Sequence, residues 1–258
     1  LKIRSLMEKK ILYLLTCVGL CWSSCTNEVD EFIGNVEPST RSVSTALNAN
    51  LASLFTGGAP TLTSAEIKEV NDAYAKMTSI NCYRNIDEAV RNKTSYAGTI
   101  FLDDTYASAY FRKGSLAFPP YGILASSMEH EFIHMYQRDV QGKKVDTDKE
   151  KRDTGMMEFE LAFYQGIIRY IHAGYSWTFK GEDGDPSYQS LWTSGLTDPS
   201  LIPQYEREFQ TYVASICANG KPTSIDINEF VKWSNIFGEY SRGYSGKGYK
   251  FGNYDYGT

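Results

Sequence analysis

Histidine is scarce in this sequence, with three among 258 residues. Lysine and arginine nowhere gather into a block, and the formal net charge is −5. A phosphate backbone needs a continuous positive face, so nucleic acid is excluded as the main partner. Cys-x-x-Cys pairs are missing too, which removes the common all-thiolate zinc site. No internal repeat is present, which excludes solenoids and propellers. The one sustained apolar run, residues 11–22, is too short and wrongly flanked for a comfortable membrane span.

What is present describes a globular chain with a leader. The composition is 42% hydrophobic, with 19 tyrosines, which is folded rather than disordered in character. Lys9 and Lys10 precede the apolar run, and Ser23-Ser24-Cys25 follow it, the order of a secretory signal. Trp22-Ser23-Ser24-Cys25 resembles a relaxed bacterial lipobox, which implies that Cys25 is lipidated and anchors the chain in a membrane. The expected division is a signal peptide over 1–24, a tether over 25–42 rich in Glu28, Asp30, Glu31 and Glu37, and one domain over 43–258. An outer-membrane lipoprotein facing the periplasm or the cell exterior follows. Of the cysteines outside the signal and the lipid site, Cys82 and Cys217 are either bridged or two buried thiols.

Periodicity predicts helices over 43–54, from the Thr63 N-cap to about 77, over 121–138, 154–173, 202–217 and 228–237. Gly142 is placed to end the central helix as a C′ glycine. Short strands are expected within 97–102 and 116–118, stopped by Pro119-Pro120. From Gly238 the chain is rich in glycine and tyrosine. The class is α+β: a mostly helical domain with a small sheet before the central helix.

That central helix carries His130-Glu131-Phe132-Ile133-His134, the pattern H-E-x-x-H. Residues four apart on a helix share a face one turn apart, so both imidazoles can bind one metal ion. Glu131, one residue on, can reach a water on that ion without ligating it. Zinc in a catalytic site takes a third protein ligand and keeps one position open. No third histidine follows soon after His134, and His172 lies far down the next helix. The candidates are Glu158 and Glu160, near the start of that helix; two residues apart, they cannot both point at one ion.

A helix with H-E-x-x-H followed by a second helix supplying Glu-x-Glu-x-Ala resembles the gluzincin group of zinc metallopeptidases. The resemblance covers residues 96 to 173 and implies a zincin-like fold, a bound Zn2+ and a peptide or protein substrate. In that pattern the first glutamate is the ligand, which maps to Glu158. Some members carry an aspartate four residues later that supports a zinc histidine; here that position is Ala162. Related enzymes draw an oxyanion donor from downstream, which makes Tyr240, Tyr244 and Arg242 candidates. The layout of lipobox, small sheet, H-E-x-x-H and Tyr/Gly-rich tail resembles a group of metallopeptidase-like lipoproteins of Bacteroides-like bacteria.

The expected function is a monomeric zinc-dependent hydrolase of the cell envelope, a peptidase, with His130, His134 and Glu158 on the metal and Glu131 activating a water. The competing expectation is a lipid-anchored binding protein on a zincin scaffold without turnover. The strand within 97–102 is expected either to pair with an extended peptide or to be a plain core strand.

Overall fold

The computed structural model describes residues 46–143, 151–172, 198–217 and 225–240. The leader, Cys25, the tether, Arg242 and Tyr244 lie outside the described residues. The chain divides into two compact units, one running to Gly142 and one beginning at Lys143; each is described by itself.

In the unit that ends at Gly142, α1 (Ala49–Leu54) is shorter than predicted because Asn48, with extended ψ, caps it by accepting the Asn50 N–H at 2.9 Å. Helix α2 (Ser64–Thr78) opens as expected with a capping box: Thr63 Oγ1 accepts the Glu66 N–H, and Glu66 accepts the Thr63 N–H at 2.6 Å. Helix α3 (Asn81–Lys93) was not expected; it buries a stripe of Cys82, Tyr83, Ile86, Asp87 and Val90 within an otherwise polar sequence.

Three short strands follow: β1 (Ile100–Leu102), β2 (Tyr110–Arg112) and β3 (Ser115–Phe118), in the order β1-β3-β2. β1 runs parallel to β3, with Ile100 opposite Leu116. β2 is antiparallel to β3, joined through Lys113 and Gly114, both at positive φ, the backbone of a two-residue I′ hairpin. Residues 97–99 are not part of β1. Their outer side is taken by the chain itself: Thr56 N–H donates to the Tyr96 carbonyl, Gly57 N–H to Gly98, and Ile100 N–H to Gly58.

Helix α4 (Ala125–Met135) packs against α2, α3 and β2 and buries Met128, Phe132, Ile133 and Met135. The predicted helical stretch continues, but as one π-turn over Tyr136–Val140, where Gln141 N–H donates to the Tyr136 carbonyl at 3.0 Å. Gly142, at φ 72, ends it where the sequence places a C′ glycine.

The unit beginning at Lys143 contains α5 (Lys151–His172), a 3-10 turn (Pro199–Leu201), α6 (Ile202–Ile216) and α7 (Ile227–Tyr240). Its core is aromatic: Phe159 against Phe230 and Phe237, Phe163 against Tyr212 and Phe230, Phe209 against Trp233. Fully burying each such ring contributes roughly 1.5–3 kcal/mol. The architecture is α+β, mostly helical, with a small mixed sheet ahead of the His130 helix. Cys82 and Cys217 are both free and buried, so the bridged alternative is set aside. Burial pushes the Cys217 thiol up to about 12, leaving it protonated and unreactive at neutral pH. No helix of the described residues is long and apolar enough to cross a membrane.

Gly98 marks the tightest approach in the sheet region. A Cβ there would lie 2.2 Å from the Gly114 carbonyl oxygen and 2.3 Å from Ser115 Oγ. Gly98→Ala must push the hairpin away and is expected to destabilise the fold by about 1–3 kcal/mol. The check is a urea titration, and an unchanged midpoint would contradict this packing.

Candidate metal centre

Helix α4 is held by its apolar side. Phe132 is fully buried and meets the Tyr74 ring at 6.1 Å; Ile133, Met128 and Met135 are buried beside it. Behind Phe132, Tyr74 OH donates to buried Asp87 at 2.9 Å, and Arg91 pairs with the same carboxylate at 2.8 Å. Burial first, then the Asp87 carboxylate, pushes the Tyr74 phenol well above its ordinary value, so it remains a donor. The helix therefore has one rotational setting, which leaves half-buried His130 and His134 on a common face.

The two imidazoles converge. His130 Nε2 and His134 Nε2 are 3.1 Å apart, with ring planes at 81°. Glu131 is buried, and its Oε1 lies 4.0 Å from His130 Nε2. That distance is too long for a hydrogen bond but within reach of a water held at the same place. The other nitrogen of His134, Nδ1, lies 2.9 Å from Gln137 Oε1. Gln137 has no exposure to solvent.

His130, His134 and Glu158 each offer one ligand atom, and these atoms all lie within 4.8 Å of one another. Two imidazoles and a carboxylate at such spacing can hold a metal ion. Glu160, the other glutamate considered, forms an ion pair with Lys143 instead. His172, the last residue of α5, is exposed and does not belong to the group. Tyr240 is the last residue of α7, and the two other candidate donors, Tyr244 and Arg242, are outside the described residues. Ala162 cannot support a histidine as the aspartate of the resembled pattern would.

The π-turn is pinned on its far side. Arg138 donates to both oxygens of Asp139 at 2.9 and 2.7 Å, and Tyr96 OH donates to the same carboxylate. The Arg138 guanidinium lies 4.4 Å from the Phe111 ring centroid and 5.5 Å from that of Tyr96. Sequence reasoning did not single out Gln137 or this clamp. A glutamine three residues after a histidine has no motif of its own, and a π-turn leaves no readable periodicity. Comparison with family models, curated proteins and solved structures finds no match to this chain.

Proposed function

We propose that this chain is a zinc-dependent hydrolase, specifically a peptidase, with His130, His134 and Glu158 as the metal ligands and Glu131 as the general base. The observation that carries this reading is the 3.1 Å approach of His130 Nε2 and His134 Nε2. Two nitrogens bound to one tetrahedral zinc at about 2.0–2.1 Å stand roughly 3.3 Å apart. The two rings are already close to that spacing. The donor set supports zinc over magnesium or calcium, which favour shells of oxygen. Two histidines and a carboxylate also suit ferrous iron. Buried Glu131 beside the pair favours hydrolysis, the reaction that needs a base at that point.

Zinc bound there would lower the pKa of a water to about 7 and polarise a carbonyl. Glu131 accepts the proton of the attacking water and returns it to the leaving nitrogen. Tyr240 and Tyr244 are retained as candidate donors to the oxyanion.

An extended peptide would join the sheet at β2 rather than at 97–102, because β2 is the edge strand packed on α4 while 96–100 is lined by the chain's own 54–58. Arg112 and Ser115 close the hairpin as a hydrogen-bonded pair, so Phe111 turns its N–H and C=O away from β3. The lipobox-like run ending at Cys25 supports a lipid anchor on the cell envelope. Glu131 favours turnover over a scaffold that only binds.

Purified without chelator, the protein is expected to hold one zinc per chain by elemental analysis. Free zinc at 100 times its Kd should add about 2.7 kcal/mol of stability, seen as a raised Tm that a chelator reverses. Glu131→Gln should keep the metal and lose about 10²–10⁴ in kcat on a peptide library, whereas His134→Ala should lose both. Full activity in Glu131→Gln would exclude the mechanism. Glu158→Gln should weaken zinc by more than the ~10–100-fold typical of an outer partner, and Glu160→Gln should leave zinc affinity unchanged. The reverse order would move the third ligand to Glu160.

A further inference from the structure

We propose that Gln137 is the positioning residue of this site: it fixes His134 in the tautomer that can bind metal. This inference rests on the metal reading above and adds a residue to it. The His134 ring is held at both nitrogens, with Nε2 facing His130 Nε2 at 3.1 Å and Nδ1 facing Gln137 Oε1 at 2.9 Å. An amide oxygen has no hydrogen to give and can only accept. Nδ1 therefore donates, and in the neutral ring the Nε2 lone pair is directed at the place His130 also faces, where His130 Nε2–H can donate to it until a metal displaces that proton. Full burial of Gln137 removes water as a competing partner, so this orientation persists between turnovers.

The backbone shows how the glutamine is placed. At the end of α4, Tyr136 N–H is shared between the Phe132 and Ile133 carbonyls, and the next bond is the wide one from Gln141 N–H to the Tyr136 carbonyl. A π-turn is rarer and less stable than the α-helix it interrupts, and it clusters at functional sites. Gln137 stands three residues after His134, the spacing that sets two side chains together on a helix, and the turn it lies in carries Arg138 and Asp139 onto Phe111 and Tyr96. Those contacts hold the turn, and through it the amide. Ala162 offers no carboxylate for this task, so the support comes from the ligand's own helix.

The test uses the full chain labelled with [15N]histidine. Only three ring systems contribute signals, and single substitutions assign them. In the metal-free wild type, His134 is expected as the Nδ1–H tautomer; a proton on Nε2 would overturn the inference without requiring any variant to fold. Gln137→Met keeps the length and volume and removes the acceptor. It is expected to weaken zinc by about 10–100-fold in a chelator competition, with unchanged circular dichroism. Gln137→Glu keeps an acceptor and is expected to bind zinc at least as tightly as wild type. If the wild type binds zinc and Gln137→Met binds it equally well, the role of Gln137 falls and the metal reading stands. If the wild type binds none, both fall.

Discussion

Everything at this centre depends on two imidazole nitrogens being held 3.1 Å apart on one helix face. At that distance one ring nitrogen donates to the other when no metal is bound, and the same two nitrogens can turn their lone pairs on an ion placed between them. The helix spacing puts both rings on the same side, but spacing alone leaves each side chain free to turn outward to water. What orients them is local contact, Gln137 Oε1 facing His134 Nδ1 at 2.9 Å, on a helix whose other side is buried. Its apolar residues are buried on α2, α3 and β2, and Phe132 sits on Tyr74, whose hydroxyl is tied to the Asp87–Arg91 pair. The Asp87–Arg91 pair keeps the buried carboxylate behind Phe132 from being left unpaired, a loss that would be strongly destabilising.

Glu131 shows the cost that such a site accepts. A carboxylate that is 5% exposed has lost most of its hydration. In a merely structural helix, an apolar residue would serve better at this position. Glu131 stands one residue after His130, with Oε1 4.0 Å from the ring nitrogen, where a water on a metal would meet it. The same logic applies to the π-turn. A sequence seeking only helical stability would continue the α pattern through residues 136–140, where the wider bonding weakens each turn.

The features readable in the sequence are those governed by local chemistry. Thr63 with Glu66, the apolar spacing of α4 and α6, and Gly142 at positive φ all state their roles within a few residues. What was not readable depends on distant partners. Helix α3 hides its stripe among asparagine, arginine and acidic residues, and Ile80 supplies no side-chain cap. Strand β2 is three residues long, too short for alternation, and exists because Lys113-Gly114 folds it back on β3. Glu158 and Glu160 are indistinguishable by spacing. Lys143 separates them by pairing with the second, and no motif records that. The segment 97–102 is legible as apolar, but only Ile100–Leu102 is strand, and the bonding of residues 96–100 to 54–58 is revealed only by the tertiary structure.

The neutrality of Gln137 is itself informative. A carboxylate behind a ligating histidine makes the ring more basic and the metal better held. The proposed centre already sets two acids, Glu131 and Glu158, around two imidazoles. With a divalent cation, those charges cancel. A third carboxylate behind His134 would leave a net negative charge in a region where Glu131 and Gln137 are both buried, and where low effective permittivity makes like-charge repulsion expensive. That repulsion would bear on Glu131, the group proposed to accept a proton and return it. An amide meets the geometric requirement, one acceptor aimed at Nδ1, without adding charge. With Gln137 rather than an acid behind His134, the proposed site carries no charge beyond what a divalent ion would balance.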